Sequence, residues 1–221
     1  MIALLVALTF ATAILIDHLL LRRAIPIAEE KPKNVRPKLT PSVVAGFKVP
    51  DNLAYHPGHT WAAAEGPTRV RIGIDDFAAK LAGDVTKVDV PERGKWIRQG
   101  QTIISLHRDG KELDLVSPIE GEVIDINPNV ARDANAMRTD PYGDGWLLTV
   151  SSPDARTNFR NLLNGTLARR WMEESAARLR ALVPAAAGLT AQEGGEAIHD
   201  FVKEIPDAEW ENVAKEFFLT A

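Results

Sequence analysis

Gly100 to Asn127, GQTIISLHRDGKELDLVSPIEGEVIDIN, is the stretch whose reading decides the fold. Ile104 and Leu106 before Asp109-Gly110, and Leu113 and Leu115 after it, keep the two-residue alternation of half-buried strands. Asp-Gly between two such runs is the strongest short signal for a two-residue β-hairpin, and Gly110 suits the positive φ of a type I′ turn. A Ser117-Pro118 turn follows, then a third strand begun at Gly121, and Asn127-Pro128 marks the exit. The tip at Asp109 and Gly110 is thus the most exposed point of the domain.

The same pattern extends upstream. Val70, Ile72 and Ile74 alternate with Arg69, Arg71 and Gly73 as a strand. Asp75 then caps a short helix over Asp76 to Ala82, and Gly83 ends it. Thr86, Val88 and Val90 form the next strand, closed by Pro91, and Gly94 and Gly100 punctuate two more turns. Many short strands with regular turn signals and a single small helix predict a β sandwich or flattened barrel.

Four segments in order, Tyr55 to His59 with Trp61, VRIGIDDFAAKLAGDVTKVDVPERG, SPIEGEVIDIN and DPYGDGWL at Asp140 to Leu147, resemble the glycine cleavage system H protein family. The resemblance spans about Leu53 to Leu148 and reaches weakly into the following helix. It implies a lipoyl-domain-like barrel-sandwich hybrid whose hairpin tip, in the family, carries a lipoyl-lysine that moves between enzymes. Counted from Gly100 or back from Ser117, the place of that lysine falls on Gly110, and the acidic-serine-apolar triplet expected before it is His107-Arg108-Asp109. Gly110 has no amine to acylate. Lys111 is one residue late, and a one-residue slip along a strand turns a side chain to the other face.

No other chemistry replaces it. His56 and His59 form H-x-x-H, but Pro57-Gly58 between them reads as a turn, and neither a cysteine nor a nearby acid completes a metal set. The resemblance places His59 beside Trp61. The serines form no nucleophile elbow and the glycines no phosphate loop. Asp75-Asp76 and the carboxylates of Asp140 to Asp144 read as capping and turn-forming groups. No catalytic residue, metal site or cofactor is expected. A net charge of −4 with acids and bases interspersed gives no concentrated basic face for nucleic acid. The absence of cysteine removes disulfide and thiol chemistry.

Ile2 to Leu21 holds only Thr9, Thr12, Asp17 and His18 as polar residues, and twenty helical residues rise about 30 Å, the thickness of the bilayer hydrocarbon. With no basic residue before the apolar run it reads as a transmembrane helix and not a cleaved signal. Arg22, Arg23, Lys31, Lys33, Arg36 and Lys38 follow it, which places the N-terminus outside and the rest in the cytoplasm. Asp17 and His18 lie near the cytoplasmic end, where they either snorkel or dock another membrane helix. Residues 24–50, with five prolines, read as an extended linker able to reach on the order of 80 Å at about 3.1 Å per residue.

After Asp154 the period changes to that of helices. Phe159, Leu162, Leu163, Leu167, Trp171, Ala176, Leu179 and Leu182 fall on one face, broken at Gly165. An Ala- and Gly-rich stretch from Pro184 to Gly195 leads to an element with Ile198, Phe201 and Val202. Asp207 is placed to cap a last helix whose stripe of Trp210, Val213, Ala214, Phe217 and Phe218 either folds back or docks on a partner.

The expected architecture is mainly β. A transmembrane helix over 1–23 and a proline-rich linker over 24–50 precede a barrel-sandwich domain over 51–153, and a helical extension follows over 154–221. The expected function is a membrane-anchored, non-lipoylated binding or assembly module, not an enzyme. It would serve a membrane complex on the cytoplasmic face of the inner membrane, through interaction residues Asp17, His18, Trp210, Phe217 and Phe218. The alternative is a lipoyl carrier modified at Lys111, with lipoate as cofactor.

Overall fold

Alternating apolar residues and tight turns build eleven short strands in the computed structural model, which describes residues 41–183, 205 and 207–219. The predicted transmembrane segment with Asp17 and His18, the linker up to residue 40 and the element around Ile198 lie outside the described residues. Among the described residues no helix is long and apolar enough to cross a membrane.

Strands β3 (Ala54–His56), β4 (Thr60–Ala64), β5 (Arg69–Ile74), β11 (Leu148–Ser151), β10 (Gly121–Ile126) and β7 (Trp96–Ile97) form one antiparallel sheet in that spatial order. A second sheet, in the order β6 (Lys87–Asp89), β8 (Thr102–Arg108), β9 (Lys111–Val116), carries the Asp-Gly hairpin. Ile72, Val123, Leu148 and Val150 from the first sheet and Ile104, Leu106 and Leu115 from the second share one buried core. Helix α1 (Asp76–Ala82) starts at Asp75, whose Oδ1 accepts from Ala78 N at 2.8 Å, and Gly83 follows it at φ 69°, as its sequence predicts.

Three features differ from the sequence reading. Residues 41–50, read as the end of the linker, form a hairpin of β1 (Pro41–Val44) and β2 (Phe47–Pro50) around Ala45-Gly46. Pro41 and Pro50 pair with each other at its open end, where a missing N–H is tolerated, so the prolines mark strand ends and not an unfolded tether. Val44, Phe47 and Val49 are buried, and the Phe47 ring lies 4.9 Å from that of Phe77. Helix α1 is also not alone in the β domain: α2 (Pro128–Arg132) and α3 (Ala136–Thr139) follow β10. Asn127 caps α2, with Pro128 at its start, a signal that a break at Asn-Pro conceals.

The extension consists of α4 (Ala155–Phe159), α5 (Gly165–Leu182) and α6 (Asp207–Phe218). Gly165 at φ 50° opens α5, at the break that the sequence marks. Leu163 exchanges two backbone hydrogen bonds with Tyr55 of β3, at 2.7 and 2.8 Å, which ties the chain entering α5 to the sheet. Helix α6 folds back on α5 and β9.

Candidate functional site

The hairpin apex is as tight as its sequence demands. Arg108 pairs with Lys111 across the last rung, leaving Asp109 and Gly110 as the two turn residues, at φ 48° and 76°. Two positive φ angles are the signature of a type I′ turn, whose twist matches that of the flanking strands. A Cβ built on Gly110 meets nothing within 4 Å, so the glycine answers the backbone angle and not crowding. The apex therefore presents one carboxylate and no amine.

Lys111 follows the parity of its strand. It shares a face with Leu113 and Leu115, both buried, and its Nζ lies 5.4 Å from the centroid of the Trp210 ring. The Arg108 guanidinium stands 5.6 Å from the same ring and donates to Ala82 O, the last carbonyl of α1, at 3.3 Å. Two cations against one indole fasten the hairpin tip to α6. On the opposite side of the apex, Asp89 lies beside Lys87 and His107, both at 2.7 Å. Hydrogen bonds from those two groups hold its carboxyl below the usual carboxylate range.

Helix α6 covers a second group. His59 Nδ1 donates to Asp75 Oδ2 at 2.8 Å, with both side chains buried. The imidazole stacks on Phe77 at 4.1 Å and lies 4.6 Å from Trp171, while Phe217 and Phe218 of α6 meet it edge-on at 6.1 and 5.9 Å. Its Nε2 has no hydrogen-bond partner among the described residues. The Trp61 indole packs against Gly73 and Tyr142 and donates to Ile74 O at 2.7 Å. His59 sits at φ 60°, in the left-handed region that residues other than glycine seldom adopt.

The remaining predicted residues separate into structural duties. His56 accepts from Gly58 N on Nδ1 at 3.0 Å, so its ring serves the turn. Among the described residues no group of three or more His, Asp or Glu could hold a metal ion. Asp140 accepts from Gly143 N and Asp144 N at 3.1 and 2.9 Å, the turn-forming role its sequence predicts. Burial pushes the Tyr55 and Tyr142 phenols well above their ordinary value, Tyr55 with help from the Asp75 charge. Both stay protonated, and they donate to Pro50 O at 2.9 Å and Lys48 O at 2.5 Å. Trp210, Phe217 and Phe218, named from sequence as an interaction stripe, are 5%, 1% and 0% exposed, because their partner is this chain's own hairpin and α1 face. Sequence reasoning missed Arg108 and Asp75 as members of this region. The Asp75-Asp76 doublet held the only signal, since one carboxylate suffices for a cap.

Residues 53–175 match the family described as Glycine cleavage H-protein. The chain is 33% identical over 106 residues to the glycine cleavage system H protein of Nocardia farcinica, covering 48% of this chain and 80% of that protein. To that of Prochlorococcus marinus it is 38% identical over 108 residues, covering 49% and 81%. The crystal structure of a glycine cleavage system H protein from Mycobacterium marinum superposes with a TM-score of 0.45 at 30% identity, over 47% of this chain and 86% of that one.

Proposed function

The chain belongs to the glycine cleavage H-protein family, and from that premise we propose that it works as a binding and assembly module and not as a lipoyl carrier. The observation that carries this reading is the apex itself. A swinging acyl arm needs an amine at the tip of the hairpin, and position 110 is a glycine at φ 76°. The next residue places its ammonium on the core-side face, against Trp210. That side chain is half-buried and engaged with the indole, and is not carried at the tip. Helix α6, which follows the family match ending at residue 175, is the segment that meets the hairpin, while β1–β2, before residue 53, packs on α1 and α5.

The module is held at the membrane by the apolar segment Ile2 to Leu21, with the folded part on the cytoplasmic side, as the basic residues after Leu21 favour. It serves as a non-enzymatic subunit or accessory of a membrane complex, and Asp17 and His18 are the polar pair through which the anchor meets another helix.

Intact-mass analysis of the full chain, co-expressed with lipoate and lipoyl ligase, tests the reading. The expected mass is that of the unmodified polypeptide. An octanoyl or lipoyl increment that disappears in Lys111→Arg establishes the carrier reading instead.

A further inference from the structure

Trp96 is the one aromatic among the exposed large hydrophobic residues described, at 49% exposure. Its place follows from strand parity: Ile97 of β7 turns into the core, so Trp96 turns out, at the terminal strand of the six-stranded sheet. The indole forms a wall shared by two surface clefts. One is lined by Glu120, Pro153, Asp154, Thr157 and Asn158, the other by Arg98, Gln99, Gly100 and Gln101.

The first cleft has a fixed frame. Asn158, 7% exposed, accepts from Glu120 N at 2.7 Å and donates to Asp154 O at 3.1 Å, holding the backbones of both acidic residues. Gln99 donates to Pro118 O and Asn158 O at 2.8 and 3.0 Å, and Asn161 donates to Gln99 at 2.8 Å. Glu122 stands directly across the strand pair from Trp96, on the same face, and Ile124 extends that face at 37% exposure. Among the described residues Glu120, Glu122 and Asp154 enter no ion pair.

A half-exposed indole flanked by unpaired carboxylates on a rigid frame matches a cation with an apolar stem. We propose that the Trp96 cleft docks a basic segment of a partner protein, seating a Lys or Arg side chain on the indole face with its charge toward Glu120 and Asp154. Indole is the best ring for a cation, Trp is the residue most enriched at binding hot spots, and the carboxylates exclude acidic competitors. This deepens the binding-module reading and rests on it. The surface is separate from the hairpin apex at Asp109 and Gly110.

The test titrates full-length protein in detergent micelles with a labelled oligo-arginine peptide, and with an oligo-glutamate peptide as control. Saturable binding of the basic peptide alone is expected. Affinity should drop about tenfold or more in Trp96→Ala, which loses the cation–π contact, and in the pair Glu120→Gln with Asp154→Asn, which loses the charge pairing. It should hold in Glu173→Gln with Glu174→Gln, a remote acidic pair exposed on α5. Because the paired amide variant alters only exposed side chains, it decides the matter if Trp96→Ala is unstable. No binding, equal binding by all variants, or an equal loss with the remote pair overturns the proposal. Acyl attachment at the apex is read by mass, so either result can fail without the other.

Discussion

Lys80 is 1% exposed, and a lysine tolerates that only because Asp76, one helical turn earlier, meets its Nζ at 2.7 Å. The same Nζ reaches Gly46 O at 3.4 Å and lies 5.5 Å from the Phe47 ring centroid, while Asp76 also accepts from Lys48 N at 2.8 Å. One buried ion pair therefore fastens β1–β2 to α1. Lys80→Ala leaves the Asp76 carboxylate without its cation, and should cost about 3–5 kcal/mol in denaturant unfolding. Adding Asp76→Asn should recover part of that loss, since the two residues are directly coupled. His56 gives a pH dependence. Burial first, and the neighbouring His59 second, hold its imidazole below the ordinary 6.5. Between that value and the lower native one, the unfolded chain binds a proton that the folded chain does not. Stability should therefore decline as pH falls through 6.5 and level off below the native value, and denaturation midpoints compared with His56→Gln should show that slope flattened.

Helix α6 is amphipathic, and its apolar stripe finds its partner within the chain. Trp210 lies under Arg108 and Lys111 at one end, and Phe217 and Phe218 close over His59 and Phe77 at the other. Arg178 of α5 supports the far side, pairing with Glu216 at 3.1 Å and lying 5.9 Å from the Phe217 centroid. Truncating a buried Trp costs about 3–5 kcal/mol, and here the loss falls on one terminal helix. Trp210→Ala should thus speed amide hydrogen exchange in α6 and raise the reactivity of Lys111 toward an amine-selective ester, with β10 and β11 unchanged. The helical period announced this element, but its occupant surface was not legible, because hydrophobic spacing specifies a face and not what covers it. In β1–β2 the reverse happened. Valine and phenylalanine alternate around Ala-Gly there, yet the proline and lysine content outweighed that signal in the linear reading.

At the scale of the molecule, the proposed function needs a membrane segment joined to a family domain. If Ile2 to Leu21 spans the bilayer, the full chain should remain in the membrane pellet after an alkaline carbonate wash. Release into the supernatant would remove the anchor from the proposed function. Local sequence determined what is set by neighbours along the chain, namely strand parity, the Asp109-Gly110 turn and the cap at Asp75, because each depends on residues a few positions apart, and the order of four such local motifs carried the family. Gly110 at the apex was legible for the same reason, as a turn of two residues leaves no freedom of register. Tertiary structure alone decided that Lys111 faces Trp210, that His59 pairs with Asp75 beneath two phenylalanines, and that Lys80 and Asp76 hold a hairpin more than twenty residues upstream of them in the chain. Those contacts join distant segments, and their energies come from burial and charge pairing that exist only once the segments meet.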